Sequence, residues 1–112
     1  MSDEFELPVP KNPLEERVVE ALRQIYDPEI PVNIYDLGLI YAIAGHEESG
    51  QVDIDMTLTA PGCPVAQTFP GTVEGKVKEV EGVTDCVVEL VWDPPWTQER
   101  MTMEVKLQLG LL

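Results

Sequence analysis

Prolines decide where this chain can be continuous. They stand in pairs at 28 and 31, at 61 and 64, and at 94 and 95, and each disfavours helix at the residue before it and lacks a backbone donor. Regular elements must therefore fit between these points. In the first interval Asn12 can cap a helix, Pro13 suits its first position, and Glu15 stands at capping-box spacing. Leu14, Val18, Ala21, Leu22 and Ile25 make one apolar face. This predicts a helix that stops at Tyr26 or Asp27, ahead of Pro28, with the following segment extended or turned as far as Asp36.

Residues 37 to 44, LGLIYAIA, read as a strand buried on both faces. The polar turn GHEESG leads into residues 51 to 59, where Val52, Ile54, Met56 and Leu58 alternate with polar residues, completing a hairpin. Beyond the APGCP break, Val65, Phe69, Val73, Val77 and Val80 recur at helical spacing and Gly82 is placed to end the helix. Pro70 and Gly71 inside it predict a kink or a split. Residues 84 to 92 make a β-branched third strand. The tail alternates like a strand but is rich in helix formers, with Thr97 to cap and Gly110 to stop, so a final helix is expected. The class is α+β: a small two-layer sandwich, α-β-β-α-β-α, with a mixed sheet.

The length, 112 residues, suits one domain over residues 12 to 112. Residues 1 to 11, acidic and without apolar period, read as a disordered tail. Lys and Arg number 7 against 21 Asp and Glu, a net charge of −14, and such a field repels phosphate backbones and anionic lipid. No nucleic-acid or membrane role is expected. The N-terminus has neither a basic nor an apolar leader region, which gives a cytoplasmic expectation. There, Cys63 and Cys86 stay thiols.

Topology then brings the unusual segments together. A nine-residue strand spans roughly 30 Å, so the ends of the second strand lie at opposite edges of the domain. Antiparallel pairing sets the 27–36 loop beside the end of strand two, next to Cys63. Helix two returns the chain to the far edge, and strand three brings WDPPW back. DPEIPVNIYD, TAPGCP and WDPPW thus share one edge, and His46 sits at the other, too far to act as a base for Cys63.

Cys63 precedes Pro64 at a helix start, where backbone N–H groups and the helix dipole favour thiolate. The alternative is a buried thiol in a tight turn. Cys86, inside an apolar strand, reads as structural. Asp27 and Glu29 read either as turn carboxylates or, facing Cys63, as metal ligands or acid-base partners.

At these residues the chain resembles the SufT and PaaD-type family of iron-sulfur cluster assembly proteins, which share an FSCA-like domain, and it is nearest to SufT. The resemblance rests on DPEIPVNIYDLGLIY, MTLTAPGCP, GVTDCVVELVWDPPW and the closing LGLL, over residues 14 to 112. It implies an auxiliary factor in cluster assembly or transfer, rather than an enzyme, working with assembly machinery and client apoproteins. Cys63 would be its functional thiol, with Asp27, Glu29, Thr59, Pro61, Gly62 and Pro64 around it. A cluster takes four ligands, mostly thiolates, so a labile cluster or iron on Cys63 would be shared between subunits, as in a homodimer. The alternatives are a thiol-dependent enzyme, a subunit of an aromatic-catabolism oxygenase system, and an acidic adaptor in which Cys63 is structural.

Overall fold

In a computed structural model, residues 7–28, 30–59 and 68–110 are described. The elements follow the expected order: α1 (Pro13–Leu22), β1 (Ile40–His46), β2 (Gln51–Met56), α2 (Phe69–Lys78), β3 (Asp85–Leu90), a 3-10 turn (Gln98–Arg100) and α3 (Met103–Gln108). The sheet runs β1-β2-β3, with β1 antiparallel and β3 parallel to β2. Helices α1 and α2 cover one face, so the two-layer mixed architecture stands.

Helix α1 begins as its residues require. The Asn12 side chain accepts from the Glu15 N–H at 2.8 Å, and Pro13 occupies the first turn. The helix ends at Leu22, short of Tyr26. Gln24 and Ile25 donate to carbonyls only three residues back, Ala21 and Leu22, so the backbone tightens before Pro28 while Ile25 stays buried.

Strand β1 starts at Ile40 instead of residue 37, and it is buried on one face only. Asn33 accepts from the Asp36 N–H at 2.8 Å and Leu37 N–H reaches the Asn33 carbonyl at 3.0 Å, a turn that consumes Leu37. Gly38 follows at φ +88°, where an added Cβ would stand 2.4 Å from the Arg100 carbonyl oxygen. Leu37 and Leu39 are fully buried, but as loop residues packed into the core. Along the strand Ile40 and Ile43 point inward and Ala42 and Ala44 outward, a change of phase made by the register shift between Ile40 and Ala42.

Strand β2 alternates as expected and ends at Met56. Helix α2 begins at Phe69, so Pro70 falls in its first turn, where the missing N–H costs nothing and no kink results. The part of the expected helix before Thr68 lies outside the described residues. The helix stops at Lys78, and Gly82, at φ +96°, serves the turn into β3.

Near the C-terminus, one expected helix is two elements. Thr102 N–H donates to Asp36 O at 3.1 Å and Met101 is buried, which holds Met101 extended between the 3-10 turn and α3. Thr102, not Thr97, supplies the cap, accepting from Val105 N–H at 3.3 Å. Gly110, at φ +78°, follows the helix end. Of the segment read as a tail, Leu7 packs against the core and the Tyr35 hydroxyl donates to the Pro8 carbonyl at 2.7 Å.

A carboxylate closes each outer strand. Glu15 accepts from Gly45 N–H of β1 at 2.9 Å, and Glu74 accepts from Val88 N–H of β3 at 2.8 Å. Both occupy outward backbone donors that would otherwise template another strand.

Candidate functional site

The first and third proline-bearing segments meet at the end of β2, and the second, beyond Thr59, lies outside the described residues. Beyond β2, Thr57 N–H donates to Leu39 O at 2.8 Å, and beyond β3 Val91 N–H donates to Met56 O at 2.8 Å. The Trp96 indole N–H donates to Leu37 O at 2.9 Å, and the Tyr41 hydroxyl to Pro94 O at 2.9 Å. The 26–39 loop, the end of β2 and the chain after β3 therefore form one edge. Trp96 packs against the core as a plug, as an aromatic among prolines should. His46 lies at the opposite edge, opposite Gln51 in the ladder and 3.7 Å from Asp53.

Asp27 stands on this edge and is buried. Its carboxylate accepts from Ile30 N–H at 2.8 Å, and its own N–H donates to Val32 O at 3.1 Å. It thus shapes the loop in addition to any chemistry it performs. Next to it Tyr26 pairs with Asn33, and Asn33 Nδ2 donates to Asp36 at 3.0 Å. Thr59 is half-buried beyond β2. Glu29, Pro61, Gly62, Cys63 and Pro64 lie outside the described residues.

Three contributors were not legible as site residues. Thr57 is fully buried and its hydroxyl has no hydrogen-bond partner among the described residues. Alternation along β2 would have put it in solvent with Asp53 and Asp55, so its burial comes from what folds over the strand end. Arg100 stacks its guanidinium 4.3 Å from the Tyr41 ring centre, a cation–π contact made across distant sequence. Asp36 takes Arg23 at 3.5 Å, while Arg23 also lies over the Tyr35 ring at 5.0 Å. Burial raises the hydroxyl pKa values of Tyr35 and Tyr41 against the pull of these arginines.

Cys86 faces the core on β3, opposite Val52 and close to the His46 end. Burial first, then the Glu74 carboxylate, push its thiol up to about 12. It is a core side chain that burial keeps protonated at physiological pH. Among the described residues no group of three or more His, Cys, Asp or Glu is arranged to hold a metal ion, and no helix is long and apolar enough to cross a membrane.

The fold and this edge define a small α+β class. A family model described as iron-sulfur cluster assembly protein matches residues 15–90. The chain is 47% identical over 98 residues to an Fe-S protein maturation auxiliary factor of Porphyromonas gingivalis, covering 88% of this chain and 92% of that one. It is 37% identical over 87 residues to the Fe-S protein maturation auxiliary factor SufT of Staphylococcus aureus, covering 78% of this chain and 98% of that one. A crystal structure of a domain of unknown function from Bacillus anthracis superposes with a TM-score of 0.79 at 37% identity, over 88% of this chain and 93% of that one. The chain belongs to the iron-sulfur cluster assembly protein family.

Proposed function

We propose that this protein is an auxiliary factor of iron-sulfur cluster assembly that acts through Cys63 on client apoproteins, as a carrier or docking factor without catalytic turnover. The observation that carries the reading is the convergence of the 26–39 loop, the end of β2 and the chain after β3 on one edge, in a family whose members carry maturation names. The burial of Cys86 supports it, because it leaves Cys63 as the chain's other thiol for exchange with solvent or a partner. The cluster or iron is cargo in this reading. One thiol cannot complete the usual four-ligand shell, so loaded protein is a homodimer or a complex with a partner, sharing Cys63 between chains. In this reading Asp27, Glu29, Thr59, Pro61, Gly62 and Pro64 serve the thiol's partner contacts. The test is complementation of iron-sulfur enzyme activity in cells lacking the protein, at matched protein levels, with Cys63→Ser and Cys86→Ala side by side. Loss with the first and retention with the second is expected. Equal behaviour of the two, or turnover of a thiol substrate by the purified protein, overturns the reading.

A further inference from the structure

The three strands contain no lysine or arginine, and their four carboxylates, Asp53, Asp55, Asp85 and Glu89, all lie on the face turned away from α1 and α2. The ladder sets this face in rows: His46, Gln51 and Asp85; Ala44, Asp53 and Val87; Ala42, Asp55 and Glu89. Much of it is open, with Val87 49% exposed and the Asp53 and Asp85 side chains 52% and 56% exposed, while Asp55 is half-buried. At one end His46 reaches Asp53 at 3.7 Å and Lys78 reaches Asp85 at 3.5 Å, and at the other Arg100 lies over the Tyr41 ring, next to Ala42. Asp55 and Glu89 sit directly opposite one another across the parallel pair, a like-charge arrangement that destabilises a sheet. Parallel strands are usually covered on both faces, and on this one Asp53, Val87 and Glu89 stay exposed, with cover only toward Asp55 and Thr57. Other cations lie away from this face, with Arg17 and Lys76 on the helices and Arg23 capping α1.

We propose that this open sheet face docks a basic protein surface, one that presents lysine and arginine side chains to the Asp53, Asp55 and Glu89 carboxylates and covers Val87, Ala42 and Ala44. Charge selects this occupant. A second copy would bring the same four carboxylates against it, and nucleic acid or anionic lipid would bring phosphates to a chain of net charge −14. A basic surface instead relieves the repulsion between Asp55 and Glu89 and steers encounter over a distance set by salt. The inference does not depend on the role of Cys63.

The test is an amide-resolved NMR titration of the full chain at low salt with a short peptide of lysines spaced by glycines. Shifts are expected over residues 42–46, 51–55 and 85–89. Combined Asp53→Asn, Asp55→Asn and Glu89→Gln should weaken binding about tenfold. Asp55→Asn alone should weaken it about threefold, and its spectrum reports directly that the chain is folded. Neutralising the same number of exposed helical carboxylates, Glu16→Gln, Glu20→Gln and Glu79→Gln, should change it less than about twofold. Shifts centred on the helices, or equal losses in the two triple variants, overturn the proposal. So does sedimentation showing a dimer that buries this face. The measurement involves no iron, so its failure leaves the Cys63 reading standing and the reverse holds equally.

Discussion

The inner and outer faces of the sheet are made from alternate residues of the same three strands, yet their burdens differ. On β2 the inward residues Val52, Ile54 and Met56 are at most 1% exposed, while the Asp53 side chain between them is 52% exposed. The inner face is constrained by volume, because every methylene has neighbours on all sides. The outer face is constrained by charge and by what approaches it. Neighbours in sequence therefore differ in what a substitution should do: inner changes read out in stability and outer ones in association.

The largest expected effect is on the inner face. Ile54→Ala should destabilise by about 2–5 kcal/mol, through lost burial and a cavity, and urea unfolding measures it. Equal costs for Ile54→Ala and Asp53→Ala would erase the comparison.

Cys86 sharpens it next. Cys86→Ser places a hydroxyl among apolar side chains and should cost about 1–3 kcal/mol. The native thiol also makes stability depend on pH. Its folded value of about 12 lies above the ordinary 9.0, so above pH 9 the unfolded chain releases a proton that the folded chain keeps. Stability from this group is full below 9 and falls between 9 and about 12. Unfolding midpoints across that range should decline less in Cys86→Ala, and a parallel decline would reject the assignment.

At the sheet edge, between the two faces, Glu74→Ala removes the acceptor of Val88 N–H and should cost about 1 kcal/mol. It should also make Cys86 easier to ionise, since Glu74 is among the groups raising its pKa. Alkylation of Cys86 at alkaline pH should be faster in this variant than in the native protein. Unchanged rates would mean burial alone holds the thiol neutral.

The smallest effect belongs to the outer face. Asp55→Asn should change stability by no more than about 0.5 kcal/mol, and any change should be favourable, since it removes a like-charge pair with Glu89. A substantial loss would show that Asp55 supports the fold rather than serving as open surface.

What was legible without a structure followed from short-range rules. The Asn12 cap, the alternation of β2, the order of elements and the closing role of Gly110 each depend on a few neighbouring residues. The meeting of the 26–39 loop with the chain after β3 was legible too, because strand length and the return through α2 leave one place for it. The site itself was read only as residue types: the sequence marked Asp27 and Cys63, but not that Asp27 holds the Ile30 N–H or that Thr57 is buried at the strand end.

The misreadings share a cause. LGLIYAIA looks like a strand buried on both faces, since pattern alone cannot separate an apolar residue in a ladder from one in a packed turn. Side-chain bonds from Asn33 and the close approach of Arg100 to Gly38 decide that Leu37 belongs to the turn. Pro70 reads as a kink or a split, and of these the kink is removed by a helix that starts at Phe69. The last helix divides because Asp36, far away in sequence, takes the Thr102 N–H. Sequence by itself determined the periods, the caps and the charge imbalance, all properties of a residue and its near neighbours. Tertiary structure decided where each element stops and which sheet face stays largely open, because those depend on hydrogen bonds and packing between residues that only the fold brings into contact.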